Sequence, residues 1–168
     1  MGAWYGRAMP PAKRALFLDW GGTLARTENN RTVVDTAGHP VLMPNVVATL
    51  ARERPRFDAC FIVSNQARVS KGEISEAEVL RRFAWANEQL GRAFTDCRLC
   101  PHADADGCDC RKPRPAMFLE LARLYGVSLG ASTHVGDSEK DRDAAAAAGV
   151  AAFVWAREFF GWATPPGR

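Results

Sequence analysis

Apolar and polar positions alternate in a way that predicts strands separated by helices. Ala15-Leu16-Phe17-Leu18 is a short apolar run that stops at Asp19-Trp20-Gly21-Gly22, as expected of a buried strand entering a glycine turn. Residues 25–42 are polar and punctuated by Gly and Pro, so they read as a loop with room for a small hairpin. Pro44 suits the first turn of a helix whose apolar face is Val46, Val47 and Leu50. Ala59–Val63 is a second buried strand, ending at Ser64-Asn65-Gln66. Ser75 and Glu78 form a capping-box pattern, and Val79, Phe83, Ala86 and Leu90 keep helical spacing up to Gly91. A third strand is expected over Phe94–Leu99. A helix follows from Pro115 to Tyr125, with Met117, Leu121 and Leu124 inward and Gly126 as its stop. Ser132–Val135 predicts a strand ending at Gly136-Asp137, Ser138 caps an Ala-rich helix up to Gly149, and Val150–Trp155 is the last strand.

This alternation predicts an α/β fold: a mainly parallel, Rossmann-like sheet covered by helices on both faces. Residues 1–13 read as a tail and 14–168 as one domain, without internal repeats. The polar signals Asp19, Ser64 and Asp137 each follow a strand, at the edge where open α/β sheets bind ligands.

Composition narrows the functional class. A length of 168 residues, 47% hydrophobic and 24% charged, suits one globular domain and argues against disorder. No apolar run is long enough to span a bilayer, and the N-terminus has no apolar signal-peptide core, so a cytoplasmic protein with no membrane partner is expected. A net charge of +3, without a basic block, gives no footprint for nucleic acid. Four of the five Cys lie between Cys97 and Cys110, a clustering that points to metal ligation over disulfides.

Two carboxylates from separate strand ends, Asp19 and Asp137, suit Mg²⁺, a hard ion that prefers oxygen ligands. Lys112 adds positive charge for a phosphoryl group. Ser64 and the backbone N–H groups of a glycine turn suit phosphate oxygens. An Asp in such a place can also act as a nucleophile. A single Asp after a strand is more often a turn or cap residue, so the weight rests on the ordered set. Cys100, His102, Cys108 and Cys110 supply three thiolates and an imidazole, the donor set of a closed structural zinc site. Their segment is too polar to pack a core, so a metal would order it. Cys60 reads as a core thiol, and Cys97 as a neighbour of the loop that does not ligate.

In their order, Leu18-Asp19-Trp20-Gly21-Gly22-Thr23-Leu24, Val63-Ser64-Asn65-Gln66, Arg111-Lys112-Pro113 and Val135-Gly136-Asp137-Ser138-Glu139-Lys140-Asp141 resemble the four motifs of the haloacid dehalogenase superfamily. The Cys100-x-His102, Cys108-x-Cys110-Arg111-Lys112-Pro113 segment resembles the zinc loop of the heptose bisphosphate and histidinol-phosphate phosphatases, with a shorter span between His102 and Cys108. The resemblance implies an Mg²⁺-dependent phosphatase acting on a small phosphorylated metabolite, such as a sugar (bis)phosphate. Asp19 would be nucleophile and metal ligand, and Ser64 would bind the phosphoryl group with Asn65 beside it. Lys112 would offset charge, and Arg111 would contact substrate. Gly21 (through its carbonyl) and Asp137 would complete the magnesium site, with Asp141 supporting it.

One departure stands out. The family's first motif has a second Asp two residues after the nucleophile, which serves as general acid and base; here that residue is Gly21. Three readings follow. The first is a phosphatase whose acid/base is lost or relocated to Glu28, to another residue of the 25–42 loop, or to the substrate itself. The second is the chemistry of phosphonoacetaldehyde hydrolases, echoed by Trp20. It requires a cap-domain lysine, and Leu24 to Val63 contains no Lys and is too short for a helical cap. The third is a catalytically silent phosphate-binding or regulatory protein, against which the retained Asp19, Ser64, Lys112 and Asp137 argue. Arg68 and Lys71, after the second motif, are candidates for a second anionic group on the substrate.

Overall fold

The computed structural model describes residues 11–163; most of the expected N-terminal tail therefore lies outside the described residues. The elements in chain order are strands β1 (Ala15–Leu18), β2 (Thr27–Glu28) and β3 (Arg31–Thr32), then helix α1 (Val46–Glu53) and β4 (Ala59–Asn65). Helix α2 (Glu76–Gln89), β5 (Asp96–Cys100), α3 (Ala116–Tyr125) and β6 (Thr133–Gly136) follow. The fold ends with α4 (Glu139–Ala148), β7 (Ala152–Trp155) and α5 (Ala156–Phe159).

Five strands form one parallel sheet in the order β5-β4-β1-β6-β7. β1 is fully buried because both of its faces are covered. Leu16 and Leu18 join Ile62, Val46, Leu50, Val79 and Phe83 in one core. Ala15 and Phe17, pointing the opposite way, join Phe61, Val63, Met117, Phe118, Leu121 and Ala144 in the other. The chain winds outward in both directions from β1, so the carboxyl ends of β1, β4 and β6 meet at the switch point.

Two helical faces differ from expectation. In α1 the inward residues are Val46, Thr49 and Leu50, and Val47 is 51% exposed. In α3 Met117, Phe118 and Leu121 point inward, and Leu124 is 55% exposed. In α1 the buried i, i+3, i+4 stripe leaves Val47 outside it, whereas Leu124 keeps the helical spacing of Met117 and Leu121 but falls in the last turn of α3, at the edge of the buried face. Pro44 precedes α1, whose N-cap is Asn45 in the left-handed conformation. The 25–42 segment carries the two-residue β2–β3 hairpin, turned by Asn29 and Asn30 with φ of 49° and 58°. No helix among the described residues is long and apolar enough to cross a membrane.

Candidate active site

The site is assembled from turns that leave the sheet. After β1, the Asp19 N–H still donates to Val135 O at 2.9 Å, which fixes Asp19 against β6. The chain then folds back: Trp20 O accepts from the Leu24 and Ala25 amides, and Gly22 N–H donates to Ala25 O at 2.8 Å. Gly22 has φ of +78°, and a Cβ there would collide with the Asp137 carboxylate, so only glycine permits this approach. From the other side, Gly136 carries no Cβ against the Asp141 side chain; one would lie 2.5 Å from Asp141 Cβ.

These turns bring Asp19, Asp137 and Asp141 together, each with a carboxylate oxygen within 4.8 Å of the others. Lys112 enters from below. Its Nζ donates to Asp19 Oδ1 at 2.7 Å, to Asp141 Oδ1 at 2.5 Å and to Val63 O at 2.8 Å. All three protons of the ammonium are therefore used, and the side chain is 2% exposed. Asn65 fixes the Lys112 backbone reciprocally, donating from Nδ2 to Lys112 O at 3.0 Å and accepting from Lys112 N–H at 2.9 Å. Ser64 Oγ is buried and accepts from Gln66 Nε2 at 2.9 Å, which orients the hydroxyl. The other oxygen of Asp141 accepts from Ser138 Oγ and N–H, closing the capping box of α4.

Burial pushes the Asp19 carboxyl up to about 7, and the charges of Asp141 and Asp137 add to that against the pull of Lys112. Burial opposes the Asp141 charge too, but Lys112 and His134 hold its carboxyl well below the usual carboxylate range. Burial likewise opposes the Lys112 charge; Asp141 and Asp19 outweigh it and raise Lys112 above the ordinary lysine range. Of Asp19 and Asp141, Asp19 is thus the one that takes up a proton first when no metal is bound.

A cavity of about 740 Å³ opens above this cluster. Asp19, Ser64, Asn65, Arg111, Lys112, Asp137 and Asp141 all line it, as do Gly21, Arg68 and Lys71. Glu28 is not among the lining residues. It pairs with Arg26 at 2.6 Å and faces a separate hollow, so the structure does not bring the proposed substitute acid to Asp19. His134 went unnoticed in the sequence. It is fully buried in β6, with Nδ1 3.1 Å from Phe17 O and Nε2 3.6 Å from Asp141 Oδ1. Its strand neighbours Thr133 and Gly136 carry no apolar pattern, so the sequence offers no signal for it.

Beside the cavity, Cys100 at the end of β5 meets His102, Cys108 and Cys110. Cys100 Sγ lies 3.5 Å from Cys108 Sγ and 3.1 Å from Cys110 Sγ, and His102 Nδ1 lies 3.6 Å from Cys100 and 3.3 Å from Cys110. A tetrahedral zinc with arms of ~2.3 Å has edges of ~3.8 Å, so the donors sit at nearly the required spacing. All four cysteine and histidine donors named for zinc converge, and Cys97 stays outside the group. Arg111 ties this loop to the cavity, donating to Asp104 Oδ1 at 2.6 Å and to His102 O at 3.1 Å.

The family model described as haloacid dehalogenase-like hydrolase matches residues 21–149. The chain belongs to this hydrolase family. Among curated relatives, the hydrolase is 33% identical to D-glycero-beta-D-manno-heptose-1,7-bisphosphate 7-phosphatase of Rhodopseudomonas palustris, over 87% of this chain and 85% of the relative. Among solved structures it is similar to D,D-heptose 1,7-bisphosphate phosphatase from B. bronchiseptica complexed with magnesium and phosphate. That match has a TM-score of 0.75 and 26% identity over 91% of this chain and 88% of the other. A putative HAD-like phosphatase from Mesorhizobium loti gives a TM-score of 0.71 and 27% identity, over 86% of this chain and 72% of the other. The hydrolase is an enzyme of the phosphatase kind.

Proposed function

We propose that the hydrolase cleaves a small phosphorylated metabolite, a sugar phosphate or bisphosphate of the sort its relatives are named for, with Asp19 as nucleophile. The observation that carries this reading is the buried Lys112 ammonium held between Asp19 and Asp141 at the floor of the cavity. It keeps a positive charge where phosphoryl oxygens would rest and orients the Asp19 carboxylate. Ser64 is placed to hydrogen-bond the phosphoryl group, and Arg111 to meet the rest of the substrate from the cavity wall. Asp141, with both oxygens engaged by Lys112 and Ser138, acts as the residue that positions Lys112.

The donor set fits magnesium: Asp19 and Asp137 would hold it, with the Gly21 carbonyl completing the protein's share. When bound, the ion supplies positive charge that offsets the phosphoryl oxygens as they approach a carboxylate. Asp19 Oδ then attacks phosphorus, the ester oxygen departs, and water later releases phosphate from the aspartyl intermediate.

Phosphate release measured over a panel of sugar phosphates, with magnesium and with a chelator, tests this. Metal-dependent release from at least one is expected. No release from any, together with retained phosphate binding, would instead favour the silent binding protein. The zinc proposal has its own readout. Protein never exposed to chelators is expected to contain about one zinc per chain, and finding none would remove it. Stripping that metal should leave Pro101–Cys110 open to proteolysis, because the loop has little apolar packing of its own.

A further inference from the structure

Cleaving a phosphate ester of an ordinary alcohol needs a proton for the departing oxygen, and the cavity wall provides no group suited to give one. Among the described residues, no His, Glu, Cys or Tyr lines it. Its four carboxylates are otherwise engaged. Asp19 is the attacking group, and Asp137 belongs to the cluster facing it. Asp141 is bonded through both oxygens to Lys112 and Ser138. Asp104 sits between Arg111 at 2.6 Å and Lys140 at 3.3 Å. The cations of the wall are lysines and arginines, which release protons poorly near neutral pH.

The turn beside the nucleophile is also tight at Gly21. A Cβ on Gly21 would lie 3.1 Å from Thr27 Cγ2. The β2–β3 hairpin therefore crowds the place where a side chain at 21 would begin. The residues it turns toward the cavity, Thr27, Asn29, Asn30 and Thr32, are hydroxyls and amides, which can bind a substrate but not protonate a leaving group.

We infer that the hydrolase is adapted to phosphates whose leaving oxygen is a weak base: acyl, enol or aryl phosphates, and within a sugar bisphosphate the anomeric phosphate over one on an ordinary alcohol carbon. This rests on the phosphatase reading above and narrows its substrate. Asp19 Oδ forms the bond to phosphorus as the P–O bond to the leaving group breaks. That oxygen keeps the electron pair and departs as an anion, which stays ionised or, where it is basic enough, takes a proton from bulk water. In the second step water attacks phosphorus, the Asp19 carboxylate leaves, and the water's proton passes to a phosphoryl oxygen.

The test is kcat/KM with magnesium for acetyl phosphate, a series of substituted phenyl phosphates and glucose 6-phosphate, with Asp19→Asn as the background. The expected result is a steep fall as the leaving oxygen becomes more basic, with the aryl and acyl substrates ahead of glucose 6-phosphate by ~10²–10⁴, the span that general acid assistance normally covers. Gly21→Asp combined with Thr27→Ser, which removes the obstructing methyl, should flatten that fall by raising glucose 6-phosphate turnover more than aryl turnover. A wild-type rate on glucose 6-phosphate within about tenfold of the aryl series would overturn the inference and leave the phosphatase reading intact. No Asp19-dependent release from any substrate would overturn both.

Discussion

Asp19→Asn is expected to lower phosphatase turnover by roughly 10⁴–10⁶, the scale of deleting a nucleophile, while making the metal-free protein no less stable. The second half follows from the electrostatics. The amide keeps an acceptor for the Lys112 ammonium, which donates to Asp19 Oδ1 at 2.7 Å, but carries no charge into a buried site that already holds Asp141 and Asp137. In the fold, burial pushes the Asp19 carboxyl up to about 7, from an ordinary value of 3.8. The folded state therefore holds this proton more tightly than the unfolded chain does. Ionisation of Asp19 costs nothing differential below about 3.8; the cost grows as pH rises from there to about 7 and is constant above it. Removing the carboxylate removes that cost, which is of the order of a few kcal/mol. Melting in chelator from pH 5 to pH 8 should show Asp19→Asn gaining on the wild type as pH rises. Magnesium should reverse the order, because only the wild type keeps the full ligand set and gains stability from binding. A variant that loses ground with rising pH in chelator would mean that Asp19 is stabilised as an anion, and the site's polarity would need redrawing.

The parts of this site visible in the sequence were those that depend on chain order alone. Apolar runs stopping at Asp19, Ser64 and Gly136-Asp137 located three strand ends, and parallel topology then forces those ends to one edge of the sheet. The zinc ligands were visible because they lie within eleven residues on one polar stretch, so local spacing carries their geometry. What depended on packing between distant segments was hidden. Nothing near position 21 in sequence shows that Thr27 crowds the space above Gly21, since that contact comes from the fold-back of the hairpin. His134 was hidden because a polar side chain in a buried strand has no pattern of its own. Asp141 was expected, by the family resemblance, to support the magnesium site; its contact with Lys112 arises only when α4 docks on the loop that carries Lys112. Val47 is exposed because hydrophobicity alone does not decide which of two adjacent apolar stripes a helix buries, and Leu124 because it sits in the last turn of α3, at the edge of the covered face.

Lys112→Met should be the most destabilising single change in the site. The side chain would still fill the channel beneath the cavity, but two carboxylates would lose their shared ammonium, and Val63 O would lose its donor. Breaking a buried pair by removing one partner costs about 3–5 kcal/mol, because the partner's charge stays buried and uncompensated. For a chain of 168 residues that corresponds to a fall in Tm of roughly 6–20 °C. Activity should be lost as well, since the same ammonium orients Asp19. Two comparisons separate charge from shape. Adding Asp141→Asn to Lys112→Met should recover part of the stability, because it removes one stranded charge, and should recover no activity, because the phosphoryl group would still lack its cation. Lowering the pH should also narrow the gap between Lys112→Met and wild type, as the stranded carboxylates become protonated. The wild type loses the contribution of Asp141 as pH falls through its depressed folded value, so both effects draw the two proteins together in acid. A Tm deficit that stayed constant with pH and was untouched by Asp141→Asn would show that Lys112 serves the fold through packing, not through its charge.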